Sequence, residues 1–390
     1  MKRLASKFVA TAATATLALG LAACSGSGAG GGTDEGTAGG DAESTAPEDI
    51  TVGVAMPTET SERWIADGDA VKSGLEEAGF SVDLQFANDD IPTQQQQIEQ
   101  MVTRGADILI VASIDGTALA PQLQAASEQG IPVIAYDRLI NDTEFVDFYV
   151  TFDNFQVGVE QATSLLKGLG LKDADGNDTD EAGPFNVELF AGSLDDNNAH
   201  FFWNGAMETL KPFIDSGKIA VKSGQTDIEQ AATLRWSQEA AQTRMENLLT
   251  STYGGGSEQL DGVLSPFDGI SRGVITALQN AGFGPSLADG LPVVTGQDAE
   301  IASVKLINDG VQFSTIFKDT RKLAAQAVTA AKAFAAGETP EANDTETYDN
   351  GVKVVPSYLL DVDVVVKDNI QELLIDSGYW TQDQLDRGQA

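Results

Sequence analysis

The feature that most constrains the fold of this sequence is a regular alternation of short apolar runs with segments of helical spacing. Residues 50–57 form an apolar run, and Trp64, Val71 and Leu75 then recur at helical spacing. The predicted strands of the first half are 50–57, 81–87, 107–113 and 131–137, and helices are predicted over 64–78, 91–104 and 117–129. Strands that alternate with helices imply a parallel sheet covered on both faces.

The alternation resumes after Asn154 and gives a second unit of similar size. Helices are predicted over 155–169, 198–214, 229–250, 269–280 and 299–308, and strands over 186–192, 261–266, 292–297 and 313–318. The folded part begins near residue 50 and is longer than one hydrophobic core usually holds. We therefore predict two open α/β units.

The N-terminus predicts export. A basic stretch at residues 2–7 precedes an apolar run over residues 8–19, which is too short to span a hydrocarbon core and is typical of a signal peptide. Small residues then lead to Cys24, the only cysteine of the chain, in a pattern that resembles a bacterial lipobox. We predict a lipoprotein signal peptide over 1–23 and a lipid on Cys24. The alternative is an ordinary secretory signal with Cys24 near the cleavage site by chance.

Residues 24–48 are predicted to be the lipidated cysteine followed by a flexible tether. After Cys24 this stretch contains Gly, Ser, Thr, Ala and acidic residues with almost no apolar bulk, so it cannot offset its ordering entropy by burial. No later segment has eighteen consecutive apolar residues. The expected location is therefore extracytoplasmic, with a lipid anchor in the outer face of the bacterial cell membrane.

The charge balance excludes several classes of partner. Asp and Glu number 59 against 23 Lys and Arg, for a formal net charge of −36. Nucleic-acid binding needs clustered basic residues, and anionic lipid would repel this surface. An acidic loop over residues 173–181 resembles a calcium site, but Asp178 and Pro184 stand where an EF-hand loop needs Gly and Glu. We predict no metal, no cofactor and no nucleic-acid partner.

Polar and aromatic side chains collect just after the predicted strands, where ligands bind in open α/β sheets. They are Arg63, Trp64, Asp137, Arg138, Asn197, Asn198, Asp268, Asp298 and Lys318, with the adjacent pair Arg235 and Trp236 inside the second unit. A sugar hydroxyl both donates and accepts, so its pocket needs carboxylates together with Arg, Lys and Asn. The apolar C–H face of a pyranose packs on an aromatic ring. The pattern therefore favours a sugar site.

Many dispersed motifs stand in the order of one known family. They are Arg63-Trp64, Ile114-Asp115-Gly116-Thr117, Tyr136-Asp137-Arg138, Thr151-Phe152-Asp153-Asn154, Asp195-Asp196-Asn197-Asn198, Leu234-Arg235-Trp236, Ser265-Pro266-Phe267-Asp268, Gly296-Gln297-Asp298-Ala299 and Ile316-Phe317-Lys318-Asp319. The chain resembles the multiple-monosaccharide periplasmic binding proteins of the ChvE type, which are relatives of the xylose- and ribose-binding proteins. The match extends from about Thr51 to Leu385.

The resemblance implies a two-lobe type I periplasmic-binding fold, with an open parallel sheet in each lobe and three crossings between the lobes. It places 49–152 and 319–356 in the first lobe, and 153–318 and 357–390 in the second. The eleven polar and aromatic residues named above become contacts of a bound sugar. The choice between Asn197 and Asn198 stays open, because loop length varies there. Asp153 and Asn154 become supports of the hinge.

The resemblance also implies a function. The chain is expected to capture an aldose such as glucose, galactose, xylose or arabinose, and to deliver it as a monomer to the permease of an ABC-type importer. Two alternatives remain: a sensor that presents the sugar to a membrane receptor, and a sugar-processing enzyme. The acids stand beside basic or amide residues, which suits ionised acceptors better than a general acid. We therefore predict that the protein is not an enzyme.

Overall fold

The structure, a computed structural model, describes residues 47–390. The predictions for the signal peptide, for Cys24 and for the tether up to residue 46 lie outside the described residues. Within 47–390, every helix is too short or too polar to cross a membrane.

Strands and helices alternate along the chain. The strands are β1 (Thr51–Met56), β2 (Ser81–Phe86), β3 (Ile108–Val111), β4 (Val133–Tyr136), β5 (Phe148–Phe152), β6 (Phe185–Leu189), β7 (Ile219–Ala220), β8 (Gly262–Leu264), β9 (Val293–Val294), β10 (Ser314–Phe317), β11 (Ser357–Leu360) and β12 (Asp363–Val366). The helices are α1 (Glu62–Glu77), α2 (Ile91–Thr103), α3 (Ala120–Glu128), α4 (Asn154–Gly168), α5 (Asn197–Asp215), α6 (Ile228–Ala231), α7 (Gln238–Thr252), α8 (Asp268–Asn280), α9 (Ile301–Asn308), α10 (Thr320–Ala335) and α11 (Gln382–Arg387).

The first lobe is built on a six-stranded sheet in the order β11-β5-β4-β3-β1-β2, and all of its pairs are parallel. Successive residues of a strand point to opposite faces, so β3 feeds two apolar cores. Ile110 packs with residues of α1 and α10 on one face, including Val71 and Leu323. Leu109 and Val111 pack with residues of α2 and α3 on the other face. Helices therefore cover both faces, as the continuous apolar strands predicted.

The second lobe contains a four-stranded parallel sheet in the order β7-β6-β8-β9. Beyond it, β10 and β12 form an antiparallel pair, and a parallel bridge joins Gln297 to Ile316 of β10. The antiparallel strand departs from the prediction of parallel sheets alone. Only two residues separate β11 from β12, so the chain enters the second lobe without a crossover helix.

One predicted lobe boundary is wrong by a few residues. We placed 357–390 in the second lobe, but β11 pairs with β5 in the sheet of the first lobe. The last crossing therefore follows residue 360. The strand Ser357–Leu360 is short and has no predicted helix beside it. The sequence pattern therefore did not indicate which of the two sheets it joins.

The predicted helix over 229–250 is also interrupted. The chain forms α6, breaks over residues 232–237 and begins again as α7. Arg235 and Trp236 have left-handed backbone angles, with φ of 55° and 56°. The Ser237 hydroxyl then accepts a hydrogen bond from the Ala240 N–H at 3.2 Å and caps α7. This break turns the Arg235-Trp236 pair out of the helix and toward the space between the lobes.

Candidate functional site

A cavity of about 410 Å³ lies between the carboxyl ends of the strands of the two lobes. Nine of the eleven predicted contact residues line it, and these are Arg63, Trp64, Asp137, Arg138, Asn198, Arg235, Trp236, Asp298 and Lys318. Its volume is in the range of small-molecule sites. The topology thus brings together residues that are up to 255 positions apart (63 to 318) in the chain.

Two predicted contact residues do not line the cavity. Asn197 is half-buried beside it, whereas Asn198 is buried and faces the cavity. Asp268 is fully buried behind the wall, where its carboxylate accepts from the Glu300 N–H and from Gln312 Nε2, each at 2.9 Å. Burial raises the pKa of Asp268 well above its usual range. Asp268 therefore supports the wall of the cavity, and its prediction as a ligand contact is not supported by its position.

The first lobe contributes a buried network around Arg63, in the first turn of α1. Arg63 Nε donates to Asp67 one turn further on at 2.9 Å, and Nη2 donates to Asp137 Oδ1 at 2.5 Å. The Tyr136 hydroxyl donates to the other oxygen of Asp67. Burial raises the pKa of Asp67 to about 6, although Arg63 and the Tyr136 hydrogen bond act to lower it. Arg63 is thus held in place by two carboxylates.

Asp137 directly follows β4 and has a left-handed backbone, with φ of 60°. Burial acts to raise the pKa of its carboxyl, but Arg63 and Lys318 outweigh burial and hold the pKa at about 2. Its backbone carbonyl accepts from Tyr149 Oη at 2.7 Å and from Asn198 Nδ2 at 2.8 Å. Asp137 is therefore an ionised hydrogen-bond acceptor with a fixed orientation.

The second lobe places a carboxylate and a cation opposite this network. Lys318 follows β10, is 2% exposed, and lies 3.0 Å from Asp298 Oδ1. Asp298 is also 3.7 Å from Arg63 Nη1, and Lys318 is 4.0 Å from Asp137. Two acids and two cations from both lobes thus alternate in space, so each charge has a partner in a buried site.

A further ion pair crosses between the lobes. Arg138 Nε lies 3.1 Å from Asp196 Oδ2, and Asp196 caps α5 by accepting from the Asn198 N–H at 3.0 Å. We predicted Arg138 and Asn198 but did not single out Asp196 as a site residue. Its place directly before α5, in an Asp-Asp-Asn-Asn run, was the available signal.

The two predicted tryptophans have different environments. Trp64 is 5% exposed, and the guanidinium carbons of Arg63 and Arg138 lie 4.4 and 5.1 Å from its ring centroid. Trp236 is half-buried, and its six-membered ring lies against Gly192, where no Cβ would fit. Phe202 and Phe267 meet it edge-to-face, each at 6.2 Å between centroids. Phe202 and Phe267 also line the cavity, and we did not predict either as a site residue.

Several other polar residues line the cavity without having been predicted as site residues. They are Thr58, Thr60, Ser61, Asp89, Asp196, Ser237, Gln238, Arg272, Gln297 and Glu300. Glu300 accepts from Arg272 Nη2 at 2.7 Å and from the Ser61 hydroxyl of the other lobe at 3.0 Å. Arg235 lies 3.3 Å from Asp195 and is the more exposed of the predicted cations. Donors, acceptors and aromatic rings thus surround one space, as a polyhydroxylated ligand requires.

The predicted hinge residues lie where the chain first crosses between the lobes. Asp153 caps α4 by accepting from the Gln156 N–H at 3.0 Å. Asn154 is buried and donates to Thr151 Oγ1 and to Asn198 Oδ1, at 3.2 and 3.1 Å. The Asn154 amide therefore joins β5 of the first lobe to α5 of the second. These contacts agree with a hinge role, which stays a prediction.

Comparison with known proteins gives close relatives. A family model described as a periplasmic binding protein domain matches residues 52–339. The multiple sugar-binding periplasmic receptor ChvE of Rhizobium radiobacter is 54% identical over 344 residues, covering 88% of this chain and 94% of the relative. The multiple sugar-binding periplasmic protein SbpA of Azospirillum brasilense is 51% identical over 347 residues, covering 89% and 94%.

A solved structure has the same fold. The ABC transporter solute binding protein of Clostridium phytofermentans, with bound β-D-glucose, is 46% identical with a TM-score of 0.80, covering 86% of this chain and 99% of that chain. The resemblance predicted from the motifs and the predicted type I fold are thus confirmed. The chain belongs to the periplasmic binding protein family, within its group of multiple sugar-binding proteins.

Proposed function

We propose that this protein captures one monosaccharide between its two lobes and delivers it to an ABC-type importer. The observation that carries the proposal is the cavity itself, where Asp137 and Asp298 alternate with Arg63 and Lys318 beside the ring of Trp236. The relatives that are named as sugar-binding proteins, and the glucose in the Clostridium structure, support an aldose such as glucose, galactose, xylose or arabinose.

Binding follows from the division of the site between the lobes. Arg63 and Asp137 come from the first lobe, whereas Trp236 and Lys318 come from the second. A sugar that contacts all four is bound best when the lobes are together, so it shifts the population toward the closed form. An importer can then distinguish the loaded protein by its shape.

Catalysis is not needed for this role, and we propose that the protein is not an enzyme. A hexose has about a dozen heavy atoms, and a ceiling of about 1.5 kcal/mol per atom exceeds the ~8 kcal/mol of micromolar binding. The most central carboxyl, Asp137, has a pKa of about 2 and is thus a poor general acid. Time-dependent release of product from aryl glycosides would contradict this part of the proposal.

The export and anchoring of the protein are a separate part of the proposal. We propose that the signal peptide over 1–23 is removed and that Cys24 carries the lipid. Wild type should then incorporate a labelled fatty acid, whereas the Cys24→Ala variant should not. Equal labelling of the variant would contradict lipid attachment at Cys24 without affecting the sugar site.

The experiment that tests the central proposal is a thermal-unfolding screen against a panel of monosaccharides. A sugar present at 100 times its dissociation constant should add about 2.7 kcal/mol to the free energy of unfolding. One or more aldoses should raise the melting temperature, and myo-inositol and amino acids serve as non-aldose controls. No shift with any sugar would refute the proposed ligand class.

A sensor function remains the second candidate, since the Rhizobium relative is named a receptor. Fold and cavity would be the same, and only the membrane partner would differ. Growth on the bound sugar should be lost when the gene is deleted if the protein serves uptake. Retained uptake with a lost transcriptional response would favour the sensor. We expect a monomer in either case, which light scattering of the purified protein tests.

A further inference from the structure

Asp298, a carboxylate of the cavity wall, stands on a strained piece of backbone. Asp298 and Ala299 have φ of 89° and 49°, so two consecutive residues with side chains lie in the left-handed region. Such conformations persist only where the surrounding structure holds them, and they tend to cluster at ligand sites. The question is therefore which groups hold this dipeptide.

Part of the support comes from β10. The Asp298 N–H donates to the Ile316 carbonyl at 2.8 Å, and the Ala299 N–H donates to Thr315 Oγ1 at 3.1 Å. The Glu300 N–H donates to Asp268 at 2.9 Å, from behind the cavity wall. The N–H groups of Asp298, Ala299 and Glu300 are thus all hydrogen-bonded. The carbonyl groups of this stretch need separate support.

The remaining support comes from the far end of the chain. The indole N–H of Trp380 donates to the Ala299 carbonyl at 2.9 Å. Trp380 lies between a π-helical turn, Gln371–Asp376, and the last helix α11. The peptide group between Ala299 and Glu300 is therefore held on its carbonyl side by Trp380 and on its N–H side by Asp268.

Trp380 is itself fixed in place. Its ring meets Tyr379 edge-to-face at 5.1 Å, and Tyr379 meets Phe317 of β10 in the same way at 4.6 Å. Arg321 Nη1 donates to the carbonyl of Ser377 at 3.0 Å and ties the same segment to the start of α10. The C-terminal segment is thus attached to the strand that precedes Lys318.

Trp380 does not line the main cavity. A smaller cavity of about 190 Å³ is lined by Trp380 and Tyr379 together with Arg63 and Asp298. Trp380 therefore lies in a layer behind the carboxylate that faces the ligand, with space on the side toward Arg63. If the Ala299 carbonyl were released, the strained dipeptide would have room to relax and to turn the Asp298 carboxylate away.

We propose that Trp380 is a positioning residue for Asp298, and that the C-terminal segment thereby sets which sugar hydroxyl is recognised at that carboxylate. The inference rests on the proposed sugar-binding function. A positioning role differs from a general stabilising role in its effect on affinity. Replacement of Trp380 should weaken only the interaction with the one sugar hydroxyl that Asp298 contacts. Contacts at Asp137, in the other lobe, should be unaffected.

The test uses the full-length protein, purified in detergent, and calorimetric titration with the best-binding aldose and its monodeoxy analogues. The Asp298→Asn variant first identifies the hydroxyl that Asp298 contacts. In wild type, the deoxy analogue that lacks this hydroxyl should bind more weakly than the parent sugar. In Asp298→Asn, the same analogue and the parent sugar should bind equally well. Trp380→Phe keeps an aromatic ring but removes the donor. Trp380→Phe should weaken binding of the parent sugar about tenfold, which is the effect of one lost hydrogen bond. It should leave unchanged the affinity for the deoxy analogue that lacks the hydroxyl contacted by Asp298.

Matched variants separate positioning from folding. Tyr379→Phe removes a hydroxyl from the same segment but keeps the Trp380 bond, so it should bind all analogues as wild type does. Thr315→Val removes the acceptor of the Ala299 N–H, and it should reproduce the selective loss even if Trp380→Phe folds poorly. An equal loss for every analogue, or no loss at all, would overturn the inference. A wild-type protein that binds no sugar would instead overturn the proposed function, and the inference with it.

Discussion

Replacement of Asp137 by Asn tests the electrostatic design of the cavity. The change removes one negative charge between Arg63 and Lys318 and keeps the shape of the side chain. Asn, like Asp, tolerates the left-handed backbone at this position, where φ is 60°. The substitution therefore isolates the charge from backbone strain, which Asp137→Ala would not do.

Two magnitudes follow from the structure. The pKa of Asp137 falls from 3.8 to about 2 in the folded protein, which corresponds to roughly 2 kcal/mol of stabilisation by its ionised form. A lowered pKa stabilises the protein above pH 4 and ceases to do so as the pH falls toward 2. For binding, a hydrogen bond to an ionised group contributes about 1.5–3 kcal/mol, so affinity should fall at least about tenfold.

The measurement combines thermal unfolding without ligand and calorimetric titration with the best aldose at pH 7. The matched control is Asp142→Asn, because Asp142 also has a left-handed backbone, with φ of 56°, but is exposed and does not line the cavity. The control should behave as wild type in both assays. Affinity within twofold of wild type for Asp137→Asn would refute the assignment of this carboxylate to the ligand.

Three further predictions concern the ring and the buried acid. Trp236→Ala should weaken sugar binding at least tenfold with little change in fold, checked by titration and circular dichroism, since the ring borders the cavity. Gly192→Ala should also weaken binding, because its Cβ would collide with the Trp236 ring; unchanged affinity would show that the ring is not held there. Burial raises the pKa of Asp67 to about 6, so its proton is bound more tightly in the folded state and stability should rise as the pH falls through 6. Wild type should therefore gain about 1 kcal/mol over Asp67→Asn between pH 7 and pH 5 in chemical unfolding, and parallel curves would contradict the assignment.

The fold could be predicted from the sequence because its strands are short, continuous and apolar. The run at 108–111 is buried on both faces, and such a run signals a parallel sheet without any knowledge of its neighbours. The pieces that could not be predicted lack that signal. The two-residue strand Ile219–Ala220 carries no period, and the antiparallel β12 depends on where the chain enters the second lobe.

The candidate site divides along the same line. Asp137 and Lys318 could be predicted because they directly follow β4 and β10, and Asp298 because it comes soon after β9; strand ends meet at one edge of a sheet. Asp268 also follows a strand, yet it faces the interior, since the first turn of α8 directs its side chain behind Gly296 and toward Gln312. The position of a residue after a strand places it at the sheet edge that borders the cavity. Only the local backbone decides whether its side chain faces the cavity or the protein interior.

Some of the residues that line the cavity also join the two lobes. Asn198 donates to the Asp137 carbonyl at 2.8 Å, and Arg138 lies 3.1 Å from Asp196, so both contacts cross directly between the lobes. Apparent affinity therefore depends on the fraction of closed protein as well as on the contacts with the sugar. A substitution of Asn154, which joins the lobes and does not line the cavity, should change the affinity for every sugar by one common factor, whereas a substitution of Asp298 should change the ranking of sugars. A uniform change in affinity reports the closing equilibrium, whereas a changed ranking reports recognition of the sugar. Dissociation constants for several sugars are needed to distinguish the two.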